Sequence, residues 1–181
     1  MGGVGSKGLV LLRTIPLFSG EQIAGVAAHR KVSRGTVIVR SGDPTDSLYI
    51  LINGSARVMN SDEEGREVIL SILGPGDFFG EMGLIDGSPR SADVVAAESC
   101  ELLVISKADF KRCLQENFEV ALNIMKRLVE RLREADRKIE SLALMDVYGR
   151  VAKLLLDVSE IHDGRRIIPR RLTKQDIAKM I

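Results

Sequence analysis

The sequence contains few of the residues that bind metals or act as nucleophiles. Its 181 residues include two cysteines, Cys100 and Cys113, and two histidines, His29 and His162. The cysteines have the spacing of neither a metal site nor a disulfide framework, and the histidines are too isolated for a metal centre or a catalytic triad. We therefore predict no metal and no enzymatic activity, and we interpret both cysteines as packing residues of a cytoplasmic protein.

The sequence also lacks a membrane-spanning run and an excess of positive charge. It has no 18 consecutive apolar residues, the length that indicates a transmembrane helix, so no membrane association is predicted. The net charge is only +1, but residues 1–110 carry 10 Lys and Arg against 14 Asp and Glu, whereas residues 163–181 carry 6 against 2. A basic end of this kind indicates contact with a polyanion, although a solvated basic tail gives the same pattern.

The first 110 residues have the pattern of short helices followed by a β-rich domain. Helices are predicted over residues 7–15 and 21–29, and from residue 30 onward β-branched runs alternate with turn signals, as in a sandwich or barrel. Asn53-Gly54 lies between two apolar runs and predicts a hairpin, because both residues tolerate positive φ. The predicted strands cover residues 36–39, 47–52, 55–59, 67–73, 92–96 and 100–105.

Beyond residue 107 the apolar residues recur at helical spacing. One long helix is predicted over residues 109–145. Its apolar seam has alternating spacings of three and four residues and consists of Met125, Leu128, Leu132, Ala135, Ile139 and Leu142. A seam this narrow on a charged helix favours a parallel homodimer through residues 120–145; the alternative is a helix that packs on its own sheet.

The last 36 residues contain signals for two more helices. Residues 146–159 are amphipathic, and Gly164 with Pro169 indicates a loop. Thr173 is a good N-cap with Asp176 three residues later, which predicts the start of a helix. The sequence ends at Ile181, about two turns later, so we expect it to stop inside a domain.

Residues 76–84 and 89–92 combine the features needed to bind a phosphodiester. Glycines let backbone N–H groups approach an anion, Arg90 supplies a fixed positive charge, and Ser91 adds a hydroxyl donor. Glu81 would repel a phosphate, so its partner would be a ribose hydroxyl or Arg90. The alternative is a glycine-rich barrel corner with one surface ion pair.

Two segments of the sequence resemble known families. Gly76-Asp77-Phe78-Phe79-Gly80-Glu81 with Arg90-Ser91-Ala92 resembles the phosphate-binding cassette of cyclic-nucleotide-binding domains. The long helix, residues 142–151 and the Leu172-Thr173…Ile177-Ala178 start resemble the catabolite activator (cyclic AMP receptor) branch of the CRP/FNR regulators. The resemblance extends from about residue 17 to residue 181.

This resemblance implies an α+β fold. Residues 1–110 would form an antiparallel β-roll, of the double-stranded β-helix or jelly-roll type, with short N-terminal helices. Residues 111–145 would be a coiled-coil dimerisation helix, and residues 146–181 the first part of a winged helix-turn-helix domain.

The resemblance also implies a set of ligand-binding residues. Glu81 would accept a hydrogen bond from the ribose 2′-hydroxyl, Arg90 and Ser91 would hold the cyclic phosphate, and Arg131 would approach the pocket near Glu81. The full set is Phe79, Gly80, Glu81, Met82, Arg90, Ser91, Ala92, Arg131, Ala135 and Asp136.

The sequence departs from the family where the base is read. Cyclic AMP receptors carry Thr then Ser on the dimer helix, and this chain carries Ala135 and Asp136. An ionised carboxylate only accepts hydrogen bonds, so it suits the two donors of a guanine edge better than the amino group of adenine. The family implies cAMP, the substitution favours cGMP or cyclic di-GMP, and the alternative is that Asp136 faces solvent or pairs with a basic residue one turn away.

The implied function is ligand-gated DNA binding. Arg170, Arg171 and Thr173 would contact DNA phosphates in the full-length protein, and RNA polymerase would be a further partner. The competing hypothesis is a cyclic-nucleotide sensor that regulates a protein partner rather than DNA.

Overall fold

The structure is a computed structural model that describes residues 27–168 and 172–181. The predicted helix at 7–15, most of the predicted helix at 21–29, Arg170 and Arg171 lie outside these residues. In chain order the strands are β1 (Ala28–Val32), β2 (Val37–Val39), β3 (Ser47–Asn53), β4 (Ala56–Ser61), β5 (Glu67–Leu73), β6 (Phe78–Phe79), β7 (Asp93–Ala96), β8 (Cys100–Ser106), β9 (Glu160–His162) and β10 (Arg165–Ile167). The helices are α1 (Met82–Asp86), α2 (Lys107–Glu116), α3 (Phe118–Leu144), α4 (Val147–Asp157) and α5 (Lys174–Met180).

Two four-stranded antiparallel sheets form the β-roll, in the orders β1-β8-β3-β6 and β2-β7-β4-β5. The six predicted strands are confirmed as β2, β3, β4, β5, β7 and β8. The C-terminal end of the predicted helix at 21–29 is wrong, because Ala28 and His29 pair with Val104 and Leu103 of β8. The fold is therefore α+β with an antiparallel roll, as predicted.

Strand β3 is buried on both faces and divides the core in two. Leu48 and Ile50 pack with Phe110 of α2 and with Val120 and Ile124 of α3. The alternate residues of β3 point to the other side and pack between the two sheets. This double burial explains why β3 reads as a continuous apolar run rather than as an alternating one.

The two cysteines are free and contribute to these two clusters, as the sequence predicts. Cys100 is buried between the sheets, and Cys113 packs against the cluster under α2 and α3. In the part of the chain that the structure describes, no helix is long and apolar enough to cross a membrane.

The hairpin predicted at Asn53-Gly54 is wrong. Strands β3 and β4 follow each other in sequence but belong to different sheets, so this turn carries the chain across the roll. Only Gly54 has positive φ, at +88°, while Asn53 stays in β3 and accepts a hydrogen bond from the Gly54 N–H. A Cβ at position 54 would lie 2.4 Å from the Ser99 carbonyl oxygen, so glycine is also required by close packing.

The single helix predicted over residues 109–145 is also wrong, because it is two helices separated at Asn117. Asn117 has extended backbone angles, and its side chain accepts hydrogen bonds from the Glu119 and Val120 N–H groups at the start of α3. Asparagine favours this capped conformation over the helix interior, since its side chain competes for backbone N–H groups. The break lets α2 and α3 pack against the same cluster.

The C-terminal segment contains one element that the sequence analysis missed. Helix α4, capped by Asp146, and helix α5, started by a Thr173–Asp176 capping box, are confirmed. Between them β9 and β10 form a hairpin where a loop was expected. Its two-residue turn, Asp163-Gly164, has positive φ at both positions, which is the geometry of a type I′ turn.

Replacing Gly54 with alanine is expected to lower the free energy of unfolding by about 2–4 kcal/mol, because strained φ adds to a backbone clash. Gly65→Ala is the matched control: it has φ of +78° but no atom within 4 Å of the added Cβ, so we expect a loss of about 1 kcal/mol. Urea unfolding followed by circular dichroism measures the stability of both variants. Equal losses of stability would contradict the close packing of Gly54 at the turn where the chain crosses from β3 to β4.

Candidate ligand site

The candidate site begins where β6 ends and the chain turns into α1. Phe79 pairs with Tyr49 of β3, and their rings stack with centroids 5.1 Å apart, so the Phe79 side chain belongs to the core. Gly80 follows with φ of +84°, and Glu81 is the N-cap residue of α1. The paired strand and the turn thus fix the backbone of Gly80 and Glu81.

Arg90 packs so closely on Gly80 that only glycine fits there. A Cβ at position 80 would lie 2.1 Å from Arg90 Nη1. The Arg90 side chain is 5% exposed; Nη1 donates to the Gly80 carbonyl at 2.9 Å and Nη2 to the Ser47 carbonyl at 2.8 Å, with Asp46 Oδ1 at 3.4 Å. Its guanidinium also lies 5.6 Å from the centre of the Tyr49 ring. Two backbone carbonyls and an aromatic ring therefore position Arg90, together with a longer ion pair to the exposed Asp46.

Glu81 is buried, with 2% of its surface exposed, and it pairs with Arg131 of α3. Glu81 Oε1 lies 2.6 Å from Arg131 Nη1, and Arg131 also donates to the Phe78 carbonyl and covers the Phe78 ring at 4.8 Å. A buried carboxylate needs such a partner because desolvation penalises an isolated charge. This ion pair confirms that Glu81 and Arg131 lie together, and it ties the cassette to α3.

A second arginine, one turn earlier on α3, strengthens this attachment and was missed in the sequence analysis. Arg127 donates to Asp77, the residue just before β6. Burial alone would lower the pKa of Arg127, but its hydrogen bonds to Glu130 and Asp77 outweigh burial and raise it. The sequence signal was the four-residue spacing of Arg127 and Arg131, which places both on one helix face.

The structure brings the two halves of the cassette together. Ser91 is exposed, and its Oγ lies 3.7 Å from the Sδ of Met82, which is itself exposed. Ala92 is buried beside them. The surface around Gly80, Met82 and Ser91 is thus accessible, with the Arg90 and Glu81 charges directly beneath it.

The two predicted base-reading residues are not brought to the cassette of the same chain. Ala135 and Asp136 are both exposed, and Asp136 makes no ion pair among residues 27–168 and 172–181. Relative to Arg131, which faces the cassette, Ala135 is rotated by about 40° around α3 and Asp136 by about 140°. Asp136 therefore points away from its own roll.

The geometry of the roll and its cassette matches one class of protein. Residues 29–117 match the sequence model of the family described as cyclic nucleotide-binding domain. This match covers β1 through α2, including every cassette residue named above. The chain thus contains a cyclic nucleotide-binding domain.

Relatives extend the match into the helices after this domain. The chain is 37% identical over 160 residues to the cAMP-activated global transcriptional regulator CRP of Pasteurella multocida, covering 84% of this chain and 75% of the relative. It is 37% identical over 162 residues to the cAMP-activated global transcriptional regulator Vfr of Pseudomonas aeruginosa, covering 84% and 74%. The chain belongs to the CRP family of transcriptional regulators, which confirms the prediction that it is not an enzyme.

A solved structure shows the same fold. The c-di-GMP responsive global regulator CLP of Xanthomonas campestris superposes with a TM-score of 0.74 at 29% sequence identity, covering 88% of this chain and 82% of that one. The similarity supports the antiparallel roll with its following helices as the fold of this chain.

Arg131→Met is expected to lower the free energy of unfolding by about 2–3 kcal/mol, because it leaves the Glu81 carboxylate buried without its partner. We place the loss below the full value for a buried pair, since the Arg131 side chain is about a quarter exposed. Arg133→Met, an exposed site on the same helix, should change stability by less than about 0.5 kcal/mol.

The Glu81→Gln/Arg131→Met double variant separates the pair from other contacts of Arg131. If the two charges act together, the double variant should lose clearly less than the sum of the single losses. Additive losses in chemical denaturation would show that the pair does not carry this stability.

Proposed function

We propose that this protein is a cytoplasmic transcription regulator whose DNA binding is controlled by a cyclic nucleotide held at the cassette. The observation that carries this proposal is the placement of Arg90 and Glu81, a fixed cation and a fixed anion, beneath one accessible surface. A ribose cyclic phosphate presents the complementary groups, an anionic phosphate and a donating 2′-hydroxyl. Family membership supports the same conclusion.

The donors around the cassette fit a cyclic phosphate. A guanidinium has five N–H groups, and the contacts of Arg90 to Gly80, Ser47 and Asp46 use three of them. The remaining two, with the exposed Ser91 hydroxyl, would hold the phosphate, while the Gly80 and Met82 backbone would support Glu81 at the ribose.

Ligand binding at Glu81 would act directly on α3. A ribose hydroxyl that donates to Glu81 would share the carboxylate with Arg131. The ligand would thereby change the strength of the Glu81–Arg131 ion pair, which joins the cassette to α3. A shift of α3 would then reach α4 and the DNA-binding segment. In this proposal the ligand shifts the population between two arrangements of α3 and α4 relative to the roll.

The exposed seam of α3 supports a parallel homodimer through residues 120–145. Met125, Leu132, Ile139 and Leu142 are 47–64% exposed, although Val120 and Ile124 on the adjacent face are buried against the roll. The first half of the helix thus packs on its own domain, and the seam is free to pair with a second copy. An apolar stripe of this length on an otherwise charged helix is typical of such pairing.

Dimerisation through α3 would bring Asp136 to the ligand site of the partner chain. Asp136 lies on the flank of the seam that faces away from its own roll, so in a parallel dimer it would face the pocket of the partner. Its carboxylate could accept from the N1–H and 2-amino groups of guanine, whereas Ala135 makes no hydrogen bond. The names of CRP and Vfr support cAMP, and Asp136 supports cGMP or cyclic di-GMP.

DNA and RNA polymerase are the proposed partners of the full-length protein. Helix α5, with its capping box, resembles the first helix of a helix-turn-helix domain, and the two relatives named above, which cover 84% of this chain, are transcriptional regulators. These features favour DNA over the alternative of a sensor acting on a protein partner. Phosphate contacts by Arg170, Arg171 and Thr173, and the division into residues 1–110, 111–145 and 146–181, stay predictions.

Calorimetric titration with cAMP, cGMP and cyclic di-GMP tests the ligand. Arg90→Ala is expected to weaken the preferred ligand at least about 100-fold, and Ser91→Ala about 5- to 10-fold, since each removes a phosphate donor. Asp136→Ser should weaken guanine nucleotides about tenfold and spare cAMP.

Asp157→Ser, an exposed site on α4, is the control for the loss of a carboxylate and should leave all affinities unchanged. Circular dichroism of each variant checks that the roll is folded. Tight binding of cAMP alone, unaffected by Asp136→Ser, would contradict the guanine assignment; unchanged affinity in folded Arg90→Ala would contradict the cassette itself.

Sedimentation equilibrium tests the dimer. The wild-type chain should be a dimer at micromolar concentration, and Leu132→Glu should weaken association at least about 100-fold, because it places a charge in the apolar seam. Ile161→Glu, an equally exposed apolar site in the β9–β10 hairpin, should leave the dimer intact. A monomeric wild type would contradict the interface.

A further inference from the structure

Helix α5 is docked on the outer face of the β-roll through a pair of opposite charges. Arg57 of β4 approaches Asp176 with two nitrogens: Nε lies 2.9 Å from Oδ1 and Nη2 lies 3.1 Å from Oδ2. Asp176 is 6% exposed and the Arg57 side chain 22%, so the carboxylate is buried and the guanidinium is partly open to solvent. A two-pronged contact of this kind fixes both the position and the orientation of the carboxylate.

A second ion pair and a backbone contact surround this docking surface. Lys179, one turn after Asp176, pairs with Glu67 at the start of β5. Further along β5, Lys138 of α3 donates to the Leu70 carbonyl. Strand β5 is therefore contacted both by α3, the helix that carries the seam, and by α5.

Asp176 has two roles that a variant can separate. Its Oδ2 accepts hydrogen bonds from the Thr173 N–H and hydroxyl, both at 2.9 Å, so it completes the cap of α5. Burial alone would raise the pKa of Asp176, but the contacts with Thr173 and Arg57 outweigh burial and lower it. Removing Arg57 leaves the cap in place and removes the link between Asp176 and the roll.

We propose that Arg57 and Asp176 form an ionic latch that holds α5 against the β-roll; that α5 opens a DNA-binding segment and that the roll senses a nucleotide rest on the proposed function. Its links are charge pairs whose partners water can replace, so the latch would have a docked and a released state. Desolvation opposes docking and bidentate pairing favours it, so the balance between the states depends on Arg57. The latch links the β4–β5 sheet to α5 in the same chain and does not depend on the proposed ligand.

Hydrogen exchange of the nucleotide-free protein, followed by mass spectrometry, tests the latch. Arg57→Gln should speed amide exchange in residues 174–180 about tenfold, because a released helix of seven residues has little stability of its own. Arg66→Gln is the matched control: Arg66 lies on the same hairpin and pairs locally with Asp62 and Glu64, without contact to α5. It should leave exchange in residues 174–180 within twofold of the wild type.

Lys179→Gln removes the neighbouring pair with Glu67 and should also speed exchange in residues 174–180, by a smaller factor than Arg57→Gln. If Arg57→Gln destabilises the roll, seen as faster exchange in β3 and β8, exchange in residues 174–180 must still speed up by a larger factor than in those strands. Wild-type protection of residues 174–180 in Arg57→Gln, or equal effects of Arg57→Gln and Arg66→Gln, would overturn the latch. Because no nucleotide is present, failure of the proposed ligand would leave this result unchanged.

Discussion

The buried ion pair between Glu81 and Arg131 is the constraint on which the arrangement of the chain depends. A carboxylate with 2% exposure is stable only beside its partner, so the cassette and α3 must stay together. In the proposed complex, a ribose hydroxyl would donate a hydrogen bond to the same glutamate. One side chain thus takes part in the proposed ligand site, in the folding of the roll and in the attachment of the long helix.

The structure uses apolar and charged contacts in different places. Inside the roll, β3 is apolar on both faces and packs as a conventional core. Where α3 passes the cassette and where α5 meets β4, the contacts are arginine–carboxylate pairs. An apolar core resists partial movement, whereas a charged pair can exchange partners with water or a ligand, so the rigid and adjustable parts of the molecule are chemically distinct.

Local sequence patterns predict the strands and helices well, but they predict less well which of these elements pair or pack with one another. The six strands, the helix after Asp146 and the Thr173 cap follow from local patterns, and the glycine–arginine cassette follows from residue chemistry. The errors at Asn53-Gly54 and Asp163-Gly164 share a cause, since a turn signal shows that the chain changes direction but not which element it then joins. The error at Asn117 is different, because one helix was predicted across the cap that separates α2 from α3. Strand β1 and the Arg57–Asp176 contact exist only through residues distant in sequence, so no local pattern reveals them.

The cap at Asn117 has a mechanical consequence for α3. The helix begins there as a rod of 27 residues, about 40 Å long, which packs on the roll through Val120 and Ile124 near one end and contacts it again through Arg131 and Lys138. Arg131 lies near its middle, about 20 Å from Leu144. A tilt of about 5° at the cassette would move the far end by about 2 Å, so the rod converts a displacement too small to disturb the core into one large enough to reposition α4.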